Sequence, residues 1–153
     1  MQVQTALMPR HTSPRNRSTL AVGRVLAVGY VRVSTDDQAL GPDAQRAALE
    51  SWASRTGADL VAVFEDHASG AAALDKRPGL LAALAELEVH GASVLVAAKR
   101  DRFVRGDVLA AALIERMAEQ RGARMVSADG VYDGDGPEAV LMRRMIDAIA
   151  EYE

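Results

Sequence analysis

The sequence predicts an α/β domain with a mostly parallel central sheet and helices on both of its faces. Three observations carry this expectation. Short apolar runs alternate with stripes of 3.6-residue period along the chain. The run at residues 59–64 is close to continuous in apolar character, the pattern of a strand covered on both faces. Gly and Pro punctuate the stripes, with Gly41-Pro42 and Pro78 at starts and Gly57, Gly91 and Gly122 at ends.

In chain order, residues 1–25 contain Pro9, Pro14 and no hydrophobic period, and are expected to be a disordered basic arm. The core is expected over 26–136. Its first strand is Leu-Ala-Val-Gly-Tyr-Val-Arg-Val at 26–33. A helix follows over about 43–56, with Ala48, Leu49, Trp52 and Ala53 inward. The second strand is 59–64, and 65–77 is read as a loop carrying Ser69-Gly70. Pro78 opens a helix running to His90, with Leu80, Leu81, Leu84 and Leu87 as its stripe; His90 suits the helix C-terminus as a cation. The third strand is 94–97. A run of charge, Lys99 to Arg105, follows it directly. The next helix spans about 106–121 with Leu109, Leu113 and Met117 inward, and 123–128 is the fourth strand. Asp129 to Pro137 lacks the ligand spacing of a calcium loop and is read as turns. A last helix is expected over 137–153, striped by Leu141, Met145, Ile149 and Tyr152.

Composition narrows the chemistry. The chain is 49% apolar with few aromatics, so the core is mainly Ala, Val and Leu. No cysteine is present, which excludes disulfides and thiolate metal sites. No apolar run approaches the roughly 18 residues of a membrane span. Neither Gly-x-x-x-x-Gly-Lys nor Gly-x-Gly-x-x-Gly occurs, so no nucleotide cofactor is indicated. His11, His67 and His90 are dispersed, which leaves no metal cluster and no Ser-His-Asp set. The formal charge is -3, unevenly placed: residues 1–25 hold four arginines and no acid. Taking those four from the 18 basic residues leaves 14 against 21 acidic ones, a net of -7 for residues 26–153. A free-standing nucleic-acid binder is usually basic.

In sheets of this kind ligand sites gather at the carboxyl ends of the strands. Arg32 and Ser34 close the first strand on one side of it, with Tyr30 in line behind them. Asp66 and Ser69 follow the second strand, and the arginine run follows the third. Singly, each has a plainer account: a strand running into a polar turn, a capping acid, a solvated charge run. Together they set a hydroxyl beside Arg32, Arg77, Arg102 and Arg105, a donor array suited to charge developing on a phosphodiester. Arg102 and Arg105, three apart, face the same way in a helical turn.

These motifs resemble those of the serine recombinases, the resolvase and invertase family. Tyr30-Val-Arg32-Val-Ser34-Thr is similar to the family's nucleophile motif, and Gln38 and Gln45 follow where it has active-site glutamines. Phe64-Glu-Asp66-His-Ala-Ser69-Gly70 resembles its second motif, and Asp75-Lys-Arg77-Pro78-Gly79 the segment with a further active-site arginine. Lys99-Arg-Asp101-Arg102-Phe-Val-Arg105 resembles its third motif. Ala148-Ile-Ala-Glu-Tyr-Glu153 is similar to the start of the long dimerisation helix. The likeness runs from Leu26 to Glu153.

The resemblance implies a resolvase-like catalytic domain with strand order 2-1-3-4 and DNA as its partner. Ser34 would attack the backbone and form a transient 5′-phosphoserine, releasing a 3′-hydroxyl. Arg32, Arg102, Arg105 and Arg77 would hold the scissile phosphate. Asp101 would orient the arginines and serve proton transfer to the leaving oxygen, with Gln38, Gln45, Asp66 and Ser69 in support and Tyr30 packed behind. No metal or cofactor would be needed. The protein would be a homodimer, paired into tetramers on DNA, in the bacterial cytoplasm and on the nucleoid, with no membrane role. Two departures stand out. Ser93 occupies a position where the family has an acid. The chain ends at Glu153, where the family continues with another active-site arginine, the rest of the helix and a DNA-binding domain. With the -7 charge of residues 26–153, this chain alone is expected to be inactive and to grip DNA weakly. The alternative is a catalytically incomplete remnant that serves as a dimerisation or interaction module through its last helix. A flavodoxin-like phosphate-binding domain is disfavoured, since the loop to cradle phosphate is missing.

Overall fold

The computed structural model describes residues 23–34, 40–105, 107–130, 137–139, 141 and 145. Gln38, Ile149, Tyr152 and residues 1–22 lie outside them. Strands β1 (Leu26–Val33), β2 (Asp59–His67), β3 (Val94–Ala97) and β4 (Arg124–Ser127) alternate with helices α1 (Pro42–Thr56), α2 (Pro78–His90) and α3 (Val108–Gln120). The four strands form one all-parallel sheet in the order β2-β1-β3-β4, as expected. At the amino end, the Arg24 guanidinium donates to Asp59 at 3.1 Å and the Asp59 N–H donates to the Val25 carbonyl at 2.8 Å, which ties residues 24 and 25 to the start of β2.

Two apolar cores sit on the two faces of the sheet. One joins Val28, Tyr30, Leu95, Ala97 and Met125 to Leu80, Leu84 and Leu87 of α2 and Ile114 and Ala118 of α3. The other joins Ala27, Val31, Val94, Val96 and Val126 to Leu49, Trp52 and Ala53 of α1. This division follows from connection handedness. The β1–β2 crossover runs one way across the sheet and the β2–β3 and β3–β4 crossovers run the other, so right-handed connections put α1 on one face and α2 and α3 on the opposite one. The connections leaving β1 and β3 therefore diverge, which opens a crevice at their carboxyl ends.

The second strand departs from expectation in two ways. It continues through His67, because its pairing with β1 runs on through Arg32↔Asp66 and Val33↔His67, so Asp66 is a strand residue and not a loop one. The polar side chains of Glu65 and His67 hide this continuation: Glu65 accepts from Arg46 at 2.9 Å and pairs with His67 at 2.8 Å. The strand also carries a bulge. Ala27 pairs with Leu60 but Val28 pairs with Ala62, so one residue of β2 is skipped. Leu60 and Val63 pack in the α1 core, whereas Val61 and Phe64 pack in the α2 and α3 core. Strict alternation from Leu60 would have sent Phe64 and Asp66 toward α1. The extra residue turns both toward α2.

The inward faces of two helices are also corrected. Leu109 and Leu113 are 62% and 51% exposed, and α3 instead buries Ala111, Ala112, Ile114 and Ala118, with Met117 partly covered. The alanine side lets the helix approach the sheet closely and turns the bulkier leucines out. On α2 the buried set is Leu80, Ala83, Leu84 and Leu87, and Leu81 is exposed. Helix α3 begins two residues later than expected, because the Asp107 carboxylate accepts from the Ala110 N–H at 3.0 Å and caps it there.

Candidate active site

Arg32, Arg77 and Arg102 are each no more than 2% exposed, and all three lie around the carboxyl ends of β1 and β3. Buried guanidiniums need acceptors. Arg32 donates through Nε to the Arg102 carbonyl at 3.1 Å, through Nη1 to the Ala68 carbonyl at 3.1 Å and through Nη2 to the Asp101 carbonyl at 2.9 Å. Arg77 donates through Nη2 to the Arg102 carbonyl at 3.0 Å and to the Tyr30 hydroxyl at 3.0 Å, with Nε also on that hydroxyl at 3.2 Å. Carbonyls and a hydroxyl thus orient the Arg32 and Arg77 guanidiniums. Arg102 is held differently. Its Nε and Nη2 meet the two carboxylate oxygens of Asp101 at 3.2 and 3.0 Å, and its Nη1 donates to the Arg32 carbonyl at 3.3 Å. The Asp101 side chain is half exposed, so the Asp101–Arg102 fork stands where the cluster meets solvent.

Behind the cluster, Tyr30 is a relay. Its hydroxyl accepts from Arg77 and donates to Asp66 Oδ2 at 2.9 Å. Asp66 in turn accepts from the Gly79 N–H at 2.7 Å and the Leu80 N–H at 2.9 Å. A carboxylate from β2 thus caps α2 from outside, at a helix start that has no side-chain cap of its own. Gly79 is required there, since a Cβ at that position would come within 2.7 Å of the Glu65 carbonyl and 2.8 Å of Asp66 Oδ1. Burial pushes the Tyr30 hydroxyl well above the usual phenol range; the Arg77 guanidinium opposes this and the Asp66 carboxylate adds to it. The folded state therefore holds this proton where the unfolded chain would release it, so stability present below pH 10 is lost as pH rises beyond it. The wild-type protein should lose stability relative to Tyr30→Phe above pH 10, by about 1.4 kcal/mol per pH unit. Denaturant unfolding of both proteins from pH 8 to 11.5 measures the difference; parallel curves would refute the assignment.

Gln45 holds the end of β1. In a parallel strand the N–H and C=O of one residue point to the same side, and the sides alternate along the chain. Val33 turns toward β2, where its carbonyl accepts from Ala68. Arg32 therefore turns toward β3, whose pairing with β1 stops at Tyr30↔Ala97. The Gln45 amide fills the vacated place: its Oε1 accepts from the Arg32 N–H at 3.2 Å, and its Nε2 donates to the Arg32 carbonyl at 2.9 Å and the Leu40 carbonyl at 2.8 Å. Gln45 reaches this spot because it continues the buried stripe of Leu49, Trp52 and Ala53 one turn earlier on α1.

The remaining candidates lie further out. Ser34 is half-buried at the first position after β1, two residues past Arg32. Arg105 does not share the buried position of Arg102, because the helical turn spans only Arg100–Arg102 and ends at Phe103. Arg105 is exposed at the rim, where its N–H donates to the Gly70 carbonyl at 3.4 Å. A Cβ on Gly70 would come within 2.8 Å of both Arg32 Nη2 and the Arg105 Cβ, so that loop closes over Arg32 only as glycine. Ser69 is exposed and its hydroxyl accepts from the Ala71 N–H at 3.2 Å, a turn within the loop. Ser93 lies at the amino end of β3, bonded to the Leu26 carbonyl and the Arg124 N–H at 3.0 Å each. Four strand residues separate it from the crevice, about 13 Å at 3.3 Å per residue, so the departure at this position does not bear on the cluster. Among the described residues no three His, Cys, Asp or Glu side chains form a metal-holding group, and no helix is long and apolar enough to cross a membrane.

The chain is thus an α/β domain with three buried arginines gathered at the switch point of a parallel sheet. Residues 27–153 match the family described as Resolvase, N terminal domain, and the chain belongs to that family. It is similar to the C-terminal catalytic domain of ISC1926 TnpA, an IS607-like serine recombinase, at 27% identity over 82% of this chain and 80% of that one, with a TM-score of 0.58. It shares its fold with the N-terminal catalytic domain of TP901-1 integrase, at 22% identity over 83% and 95% of the two chains and a TM-score of 0.66. A resolvase family site-specific recombinase from Streptococcus pneumoniae has the same fold, at 21% identity over 84% and 87% and a TM-score of 0.63.

Proposed function

We propose that this chain is the DNA strand-cleaving domain of a site-specific recombinase and that Ser34 is its nucleophile. The observation that carries the reading is the convergence of three buried guanidiniums on the end of β1, where Ser34 follows. The Ser34 oxygen attacks a backbone phosphorus as its proton is lost. The new Ser–O–P bond replaces the P–O3′ bond, and the 3′ oxygen leaves and is protonated. Charge builds on the non-bridging oxygens meanwhile, and donors already in place stabilise it without reorganising. Attack by a 3′-hydroxyl on the phosphoserine reverses these bond changes and rejoins DNA, since the covalent link retains the bond energy. Arg105, exposed at the rim, is the first guanidinium the phosphate meets, and Arg102 lies behind it beside the half-exposed Asp101.

The test uses this domain extended at its carboxyl end by the helix and DNA-binding domain of a resolvase-family recombinase, with a nicked duplex that carries that recombinase's site and is labelled at the 3′ end, because the chain alone is expected to grip DNA weakly. A detergent-stable labelled adduct should form and should be lost in Ser34→Ala. Mass spectrometry should find the phosphate on Ser34. An undiminished adduct in Ser34→Ala, or no adduct in the wild type, overturns the reading. A second reading, an interaction module without catalysis, draws on Leu141 and Met145, which are 60% and 41% exposed one helical turn apart. It predicts association between copies of the chain and no Ser34-dependent adduct.

A further inference from the structure

The short turn Arg100–Arg102 carries Asp101 and Arg102, and its backbone also orients two arginines from elsewhere. The Asp101 carbonyl accepts from Arg32 Nη2, and the Arg102 carbonyl accepts from both Arg32 Nε and Arg77 Nη2. A displacement of this turn displaces three guanidiniums together. Its own backbone bonding is slight: the Arg102 N–H donates to the Lys99 carbonyl and the Phe103 N–H to the Arg100 carbonyl, each at 3.0 Å. Side chains must anchor it. One anchor is Phe103, buried and stacked on Tyr30 with ring centroids 6.0 Å apart. Another is Arg100, whose Nη2 donates to Glu115 Oε2 of α3 at 3.2 Å, with side chains only 14% and 16% exposed. A pair this covered is attracted more strongly than an exposed one.

We propose that Arg100 and Glu115 form a positioning pair for the cleavage reaction. Their bond ties the turn to α3 and, through the Asp101 and Arg102 carbonyls, sets where Arg32 and Arg77 point. Neither residue touches the DNA in this scheme. Helix α3 thereby becomes part of the active-site frame, although it contributes no guanidinium to the cluster. The kinetic half of the inference rests on the recombinase reading above; the geometric half does not.

The experiment compares wild type with Arg100→Leu, Glu115→Gln and the exchanged double variant Arg100→Glu/Glu115→Arg. Two readouts are taken on each. The first is the Nε–Hε NMR resonances of Arg32 and Arg77, which report guanidinium placement. The second is the rate of Ser34-dependent adduct formation alongside DNA affinity. Both single variants should move the two resonances, and the adduct should slow by about 100-fold in Arg100→Leu, the scale of a 1 Å misplacement, and by about tenfold in Glu115→Gln, which keeps a neutral acceptor, while affinity stays within about threefold. The exchanged variant should recover at least about tenfold of the Arg100→Leu loss. Resonances that stay in place in the single variants overturn the inference, as do single-variant rates near wild type or an exchange no better than Arg100→Leu. Should the wild type form no Ser34-dependent adduct, the recombinase reading fails, and the resonances still decide whether the pair positions the arginines. Glu115→Gln keeps the side chain's size and an acceptor oxygen, so it carries the test if Arg100→Leu does not fold.

Discussion

Arg102→Ala should slow Ser34-dependent strand cleavage by about 10²–10³-fold, the usual loss when one preorganised donor to a developing oxyanion is removed. The reason is specific to its placement. Arg32 donates to carbonyls of the chain and Arg77 to a carbonyl and the Tyr30 hydroxyl, and the Arg102 carbonyl that serves both survives the substitution. The change therefore deletes one guanidinium and leaves the acceptor that orients the other two. It also frees the Asp101 carboxylate, which then sets a negative charge beside the incoming phosphate. Arg102→Lys keeps the charge but lacks the planar fork that meets both Asp101 oxygens, and should fall between wild type and alanine. Single-turnover cleavage of a nicked duplex measures all three. An alanine variant within a factor of a few of wild type would mean that Arg102 does not act on the phosphate.

Asp66→Ala should destabilise the domain by about 3 kcal/mol. Two losses combine: a helix cap worth about 1–2 kcal/mol and a buried tyrosine hydroxyl left without its acceptor, costing about 1–3 kcal/mol. Both follow from the contacts of Asp66 with Gly79, Leu80 and Tyr30. At roughly 2–4 °C per kcal/mol for a chain of this size, the melting temperature should fall by about 10 °C. Asp66→Asn retains an acceptor and should cost less than half as much. Thermal unfolding followed by circular dichroism distinguishes these outcomes, and a fall below about 2 °C in the alanine variant would show that Asp66 is not the cap.

The strand order came from the family likeness, whereas most element positions were legible in the sequence for concrete reasons. The apolar runs of β1 and β3 are bounded by polar or Gly-containing segments, and Pro42, Gly57, Pro78 and Gly91 mark helix ends by backbone geometry that other residues rarely supply. What was not legible depended on contacts between distant segments. The bulge in β2 leaves no mark in Asp-Leu-Val-Ala-Val-Phe, because a run that is apolar throughout shows no change of alternation. The inward face of α3 was misread because leucine outweighs alanine in a hydrophobic stripe, while packing distance favours alanine. Arg32, Arg77 and Arg102 stand out at the strand ends and by family likeness, but the Asp101, Arg102 and Ala68 carbonyls that accept from Arg32 and Arg77 are backbone atoms that no motif names. Arg100 and Glu115, fifteen residues apart, carry no signal beyond ordinary charge until β3 and α3 bring them together.

The burial of the three arginines has an entropic consequence. A free arginine side chain samples many rotamers, and immobilising one costs about 2 kcal/mol. For Arg32, Arg77 and Arg102 that loss is incurred when the chain folds, because the same carbonyls and hydroxyl that accept their protons also freeze their rotors. An arriving anion then has about 6 kcal/mol less disorder to remove than it would in meeting three solvent-exposed arginines. Of the four candidate arginines that the structure describes, Arg105, exposed at the rim, is left to be ordered on encounter.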